Sequence, residues 1–252
     1  MLRVIKQLKE KAPIPVKATF LGAHTYPVAF KENHQGYIDR IIHEMLPVIE
    51  REQLADYIDV FCEQGFFSAA ETETICKAGM AIGLQPKIHA NQLTISGAVQ
   101  MGVKLGALSV DHLEMMDEDA IRTLAASNTI GTLLPTAAFF LSMPMQPARS
   151  MIDAGCALAL ASDYNPGSSP SGNMNLAVAM SCIQMKMLPE ESINAATTNG
   201  AYAMELGNEL GTITVGKKAN LIFTKPIPSL AYLAYAFGTN LIDKVMIKGV
   251  FI

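Results

Sequence analysis

Six short apolar runs constrain this chain more than anything else in it. They are "VKATFLGAH", "YIDVFCE", "LQPKIHA", "LSVDHLE", "TIGTLLP" and "ALALASD". Each is a few residues long and bounded by turn or polar residues, the pattern of a buried strand. Helix patterns separate most of them. In "SAAETETICKAGMAIG", Ser68 and Glu71 are spaced as a capping box and Gly83 as a stop. "DEDAIRTLAAS" opens with acids, which favour a helix N-terminus. "YIDRIIHEMLPVIEREQ" repeats Ile38, Ile41, Ile42 and Met45 on one face, with Pro47 expected to kink or divide it. Near-continuous apolar strands alternating with helices mean parallel strands covered by helices.

Bulk properties narrow the function. Of 252 residues, 50% are hydrophobic and 17% charged, enough to build a sizeable core. The net charge of -4 argues against a nucleic-acid surface, which needs a basic stripe. Cys62, Cys76, Cys156 and Cys182 are scattered without a CxxC pair. They suit buried thiols in a reducing cytoplasm. No run approaches the roughly 18 uncharged apolar residues of a membrane span.

Five of the six runs carry a polar residue at the expected strand end: His24, Glu63, His89, His112 and Asp163. A barrel of parallel strands places its chemistry at the C-terminal strand ends, and these residues occupy that place. His89 and Asp163 are normal ligands for Zn²⁺ or Fe²⁺, with His112 as a candidate third. A metal would acidify a water that Asp163 could deprotonate. His112 could donate a hydrogen bond to a developing oxyanion. Gln92 is an amide, so it binds a carbonyl or ring N–H rather than acting as a base. His24 is a candidate substrate contact. Glu63 is either a helix cap or a partner standing behind a ligand. After Asp163, Asn165, the Gly167 backbone and Ser168 are expected to form a donor-rich cup for an anionic or carbonyl group. Any of these residues could instead be a hydrogen-bonded core residue, a cap or a plain turn. His34 and His43 read as ordinary polar-face residues.

"NMNLAVAMSCIQMKM" and "PEESINAATTNGAYAMELG" are expected helices. "GTITVGKKANLIFTK" and "KVMIKGVFI" have short β patterns with glycine turns. The expected architecture is α/β: a partial TIM (β/α)8 barrel over 1–207, with about six of eight strands, and a small β element over 208–252. The opening "MLRVIKQLKEKAP" reads as an amphipathic helix with no capping residue before it. A chain that begins partway through an element, or a partner that covers the open barrel, is the expectation.

The pieces "TFLGAH", "DVFCE", "KIHANQ", "DHLE", "LLP" and "SDYNPGSSP" resemble one family, imidazolonepropionase, of the metal-dependent amidohydrolase superfamily. The tail "AATTNGAYAMELGNELGTITVGKKANLIF" is similar to the general amidohydrolase ending. The resemblance implies a metal-bearing TIM barrel with a β-sandwich built from both chain ends. It implies hydrolysis of the ring amide of 4-imidazolone-5-propanoate to N-formimidoyl-L-glutamate, in histidine breakdown. His89 and Asp163 then match metal ligands, for one Zn²⁺ or one iron (Fe²⁺ or Fe³⁺) per subunit. His112, with Asp163, matches a catalytic position. His24, Gln92, Asn165, Gly167 and Ser168 match substrate-binding positions. It also implies a cytoplasmic enzyme, allows a homodimer, and involves neither nucleic acid nor membrane. The family's HxH metal pair and its upstream arginine and tyrosine regions have no counterpart here. The resemblance therefore points to a C-terminal portion lacking the first barrel and sandwich strands. Two other readings stand beside it. A related deaminase would carry a glutamate where Gln92 stands, and a non-catalytic fragment would only associate with another chain.

Overall fold

A computed structural model describes residues 1–252. The chain divides into two compact units, Met1–Thr129 and Ile130–Ile252. The expected boundary at 207/208 falls inside the second unit, where helices give way to an antiparallel sheet.

The first unit carries four parallel strands, β1 (Thr19–Ala23), β2 (Tyr57–Cys62), β3 (Gln85–Ala90) and β4 (Ser109–His112). Helices cover one face. On Ala69–Ala81, a Cβ at Gly79 would come within 2.5 Å of the Ile58 side chain. On Ala98–Lys104, one at Gly102 would come within 2.5 Å of Val110. These glycines let helix backbone approach the sheet closely, so Ile58, Ile88 and Val110 mark the helix-covered face. By the alternation of strand side chains, Asp59, Phe61 and His89 lie on the opposite face. The capping box is present: Glu71 N–H donates to Ser68 Oγ, and Ser68 N–H to Glu71 Oε2 at 2.8 Å. Gly83 follows that helix with φ +86°, a left-handed stop that suits glycine.

Pro47 divides its helix in a particular way. His34–Arg40 and Leu46–Glu52 are α-helical, and Ile41–Met45 between them is a π-helical turn. A proline cannot donate to the preceding turn, and the wider turn absorbs the missing bond. The N-terminal helix Leu2–Lys11 buries none of its residues. It is tied down by charge instead: Arg3 to Glu52 at 2.6 Å and Lys9 to Asp56 at 2.5 Å.

The second unit begins with β5 (Ile130–Leu133) and β6 (Leu158–Leu160), a parallel pair. Pro135–Phe140 and Ala148–Asp153 connect them as two short helices that periodicity did not resolve. Ile130, Ala159 and Ala203 share a buried cluster. Asn199 Nδ2 donates to the Leu158 carbonyl at 2.7 Å, fastening a later helix to β6. The expected last helix is two, Pro189–Ala196 and Thr198–Ala203, broken at Thr197. The tail forms one antiparallel sheet of β7 (Leu221–Thr224), β8 (Ile242–Ile247) and β9 (Val250–Phe251). "GTITV" is not a strand, contrary to its β pattern, and its Ile213 and Val215 are exposed. All four cysteines are free thiols, three of them buried. No helix is long and apolar enough to cross a membrane.

Replacing a helical glycine by alanine ordinarily gains about 1 kcal/mol. Gly79→Ala is expected to reverse that sign, because its methyl group would meet Ile58 Cδ1, Cγ2 and Cβ, the last two not at a flexible tip. Overpacking of this kind costs about 1–3 kcal/mol. Urea unfolding checks it: a lower midpoint is expected, and a higher one would mean that helix and strand are loosely packed.

Candidate active site

In the first unit, three histidine rings gather on the face away from the helices. His24 stacks on Phe61, ring centroids 5.2 Å apart and 16° from parallel, and meets the His89 ring edge-on at 5.9 Å. His89 and His112 have centroids 5.1 Å apart. Only His89 reaches this face by simple alternation. In β1, Phe20 pairs with Ile58 but Ala23 with Val60, so β1 holds one residue more than β2 between those pairs. This bulge shifts the register by one and turns His24 onto the side of Phe61. His112 has the parity of Val110, the helix-covered side. Positive φ at His112 (86°) and Leu113 (68°) breaks the alternation beside the His89 ring. Such backbone costs about 1–3 kcal/mol per residue and persists only where the surroundings impose it. Leu113 is fully buried and His112 nearly so.

His89 is held from behind by a residue that the sequence reading did not single out. Asp59, buried on β2, places Oδ1 and Oδ2 at 3.0 and 2.9 Å from His89 Nδ1. Its Oδ1 also accepts the His89 backbone N–H at 3.2 Å. An ionised carboxylate only accepts hydrogen bonds, so Nδ1 carries the proton and Nε2 the lone pair. That is the tautomer a metal-ligating imidazole needs, backed by a carboxylate as such ligands usually are. His112 Nδ1 is buried without a hydrogen-bond partner and lies 3.6 Å from Glu114 Oε1. These imidazoles fit zinc or iron by donor type. No group of three or more His, Cys, Asp or Glu side chains is placed to hold a metal ion.

Gln92 is buried in the segment after β3, and that segment is clamped at both ends. Glu63 accepts from Leu93 N–H at 2.8 Å, from Gln64 N–H at 2.9 Å and from the Thr94 hydroxyl. Asn91, fully buried with φ 50°, donates to the Met115 carbonyl at 3.0 Å. Glu63 therefore caps no helix; it ties down the backbone beside Gln92. Asn91 was also passed over in the sequence, where it looks like any turn residue. His34 and His43 are exposed, and His34 stacks on Tyr26 at 3.7 Å. Burial and the Glu71 carboxylate, which accepts the Tyr26 hydroxyl at 3.1 Å, push that phenol's pKa up.

In the second unit, β6 stops at Leu160, and Asp163 lies three residues beyond it in left-handed backbone, φ 50°, half-buried. The turn after it closes on itself. Asn165 Oδ1 accepts from Gly167 N–H and Ser168 N–H, each at 2.8 Å, and its Nδ2 donates to the Asp163 carbonyl at 2.7 Å. The expected cup is thus an Asx turn whose donors are turned inward. Ser168 Oγ reaches Asp163 Oδ2 at 3.4 Å.

Parallel strands, helices on one face and histidines at the strand ends are the layout of a barrel-type enzyme scaffold. A family model described as the amidohydrolase family matches residues 4–252, and the chain belongs to that family. Its six parallel strands are part of the TIM barrel of that fold.

Within the family it is similar to one enzyme in particular. It is 60% identical over 249 residues to an imidazolonepropionase of Flavobacterium johnsoniae, covering 99% of this chain and 61% of that protein. The imidazolonepropionase of Thermoanaerobacter pseudethanolicus is 42% identical, over 98% of this chain and 59% of that one. The chain spans about 60% of the length of these curated relatives. Among solved structures, a zinc-bound adenosine deaminase from Xanthomonas campestris superposes with a TM-score of 0.75 at 19% identity, over 100% of this chain and 63% of that one. A guanine deaminase from C. acetobutylicum with bound guanine gives 0.74 at 14% identity, over 100% and 69%. These two likenesses show the fold.

Glu63→Gln tests the clamp. An amide turns one of the two acceptors into a donor facing an N–H. A loss of about 1–3 kcal/mol is expected from the group left unsatisfied. Hydrogen exchange at the Leu93 amide should quicken; unchanged protection there would mean that Glu63 does not hold the Gln92 segment.

Proposed function

We propose that the protein hydrolyses the ring amide of 4-imidazolone-5-propanoate, giving N-formimidoyl-L-glutamate. The observation that carries this reading is 60% identity, over almost the whole chain, to a relative named imidazolonepropionase. Gln92 supports it against a deaminase, since an amide cannot shuttle the proton that ammonia release requires. The substrate is a small molecule, and the site is that of a cytoplasmic enzyme of histidine breakdown. The 1–207 segment is the hydrolase barrel part and 208–252 the sandwich element.

A bound metal, zinc or iron, would supply Lewis acidity that makes a water nucleophilic near neutral pH. His89 would hold the metal through Nε2, with Nδ1 kept by Asp59. Asp163 would be a ligand as well, and its carboxylate would take a proton from water and return it to the ring nitrogen as the C–N bond breaks. His112 donates to the carbonyl oxygen as negative charge builds there. Its surroundings suit that task, because burial strengthens a hydrogen bond to developing charge. Gln92, on its clamped segment, binds a ring N–H or carbonyl. His24 offers a flat ring against the substrate heterocycle. Asn165, Gly167 and Ser168, in the turn after Asp163, contact an anionic or carbonyl group of the substrate.

Ring opening adds one water and releases no ammonia, which separates it from deamination. The test is mass spectrometry of the reaction of the full-length gene product containing these residues. N-formimidoyl-L-glutamate without ammonia is expected. Asp163→Asn should lower turnover by about 10²–10⁴-fold with the circular-dichroism spectrum unchanged. Near-normal ring opening by that variant would remove Asp163 from the reaction.

A further inference from the structure

We infer that Asp59 is the positioning residue for His89: it sets the tautomer and aim of the ring, so that Nε2 faces outward as a ligand atom. The inference rests on the reading of His89 as a metal ligand and adds a residue to it.

Three features of the site support this. First, both carboxylate oxygens bracket one ring nitrogen, at 2.9 and 3.0 Å. Rotation of the ring about its axis would lose both contacts. Second, Oδ1 also accepts the His89 backbone N–H at 3.2 Å, so one carboxylate fixes main chain and side chain together. Third, Asp59 is only 5% exposed and stands in a strand whose six residues are all buried. A carboxylate costs free energy there unless it is well paired, and a stabilising role alone is better served by an apolar side chain. Parallel pairing puts His89 opposite Phe61 and Lys87 opposite Asp59. Asp59 therefore lies one pleat behind His89 on the same face. From that position its carboxylate reaches Nδ1.

Asp59→Asn discriminates this role from simple packing. Asparagine has nearly the same shape. It can offer its Nδ2 as a donor to His89 Nδ1, which moves the ring proton to Nε2 and blocks the ligand atom. The experiment is ¹⁵N NMR of the histidine-labelled, metal-free full-length gene product, followed by Zn²⁺ titration of wild type, Asp59→Asn and His89→Ala. In wild type the Nδ1–H tautomer of His89 is expected. In Asp59→Asn the Nε2–H form should dominate and the zinc dissociation constant should rise about 10–100-fold. A wild-type His89 found as Nε2–H would overturn the inference, whether or not the variant folds. So would zinc affinity within twofold of wild type in Asp59→Asn while His89→Ala weakens it; the ligand reading would then survive alone. Zinc affinity unaffected by His89→Ala would instead remove the ligand reading and this inference with it.

Discussion

The hydrogen-bonded pair of Asp59 and His89 is the constraint on which the site depends. A buried carboxylate has to be satisfied, and here the groups that satisfy it are a ring N–H and a backbone N–H of the same residue. The orientation of the ring is thereby held by the chain itself. His24, Phe61 and His112 then have a fixed plane to pack against. Preorganisation of this kind lets a site bind or react without first ordering its own side chains.

The rest of the first unit spends local irregularity to bring its neighbours to that ring. An extra residue in β1 turns His24 to the correct face. Left-handed backbone at His112 and Leu113 does the same for His112. Glu63 and Asn91 fasten the segment between β3 and the following helix, so Gln92 sits on rigid backbone. Regular strands and close helix packing at Gly79 and Gly102 supply the frame against which these departures are defined.

The strands were legible because their apolar runs are short and sharply bounded, and all six lie where the sequence places them. The residues at their ends were legible for the same reason. The partners were not. Asp59 sits inside "YIDVFCE", where one acid among apolar residues carries no mark of its target; only the pairing of β2 with β3 brings it to His89. The bulge at β1 and the inverted backbone at His112 depend on register and φ, which side-chain identity does not encode. Pro47 announced a break but not the π-helical turn that accommodates it. In the second unit, "DYNPGSS" displayed its donors correctly, yet the short Asn165 side chain captures them locally, as asparagine commonly does in turns.

The most direct measurement is anomalous diffraction at the metal edge from crystals of the metal-loaded full-length gene product. The account predicts an ion about 2.0–2.1 Å from His89 Nε2, with the Asp59 carboxylate still on Nδ1. An ion bound through Nδ1, or one bound with His89 outside its coordination shell, would contradict it.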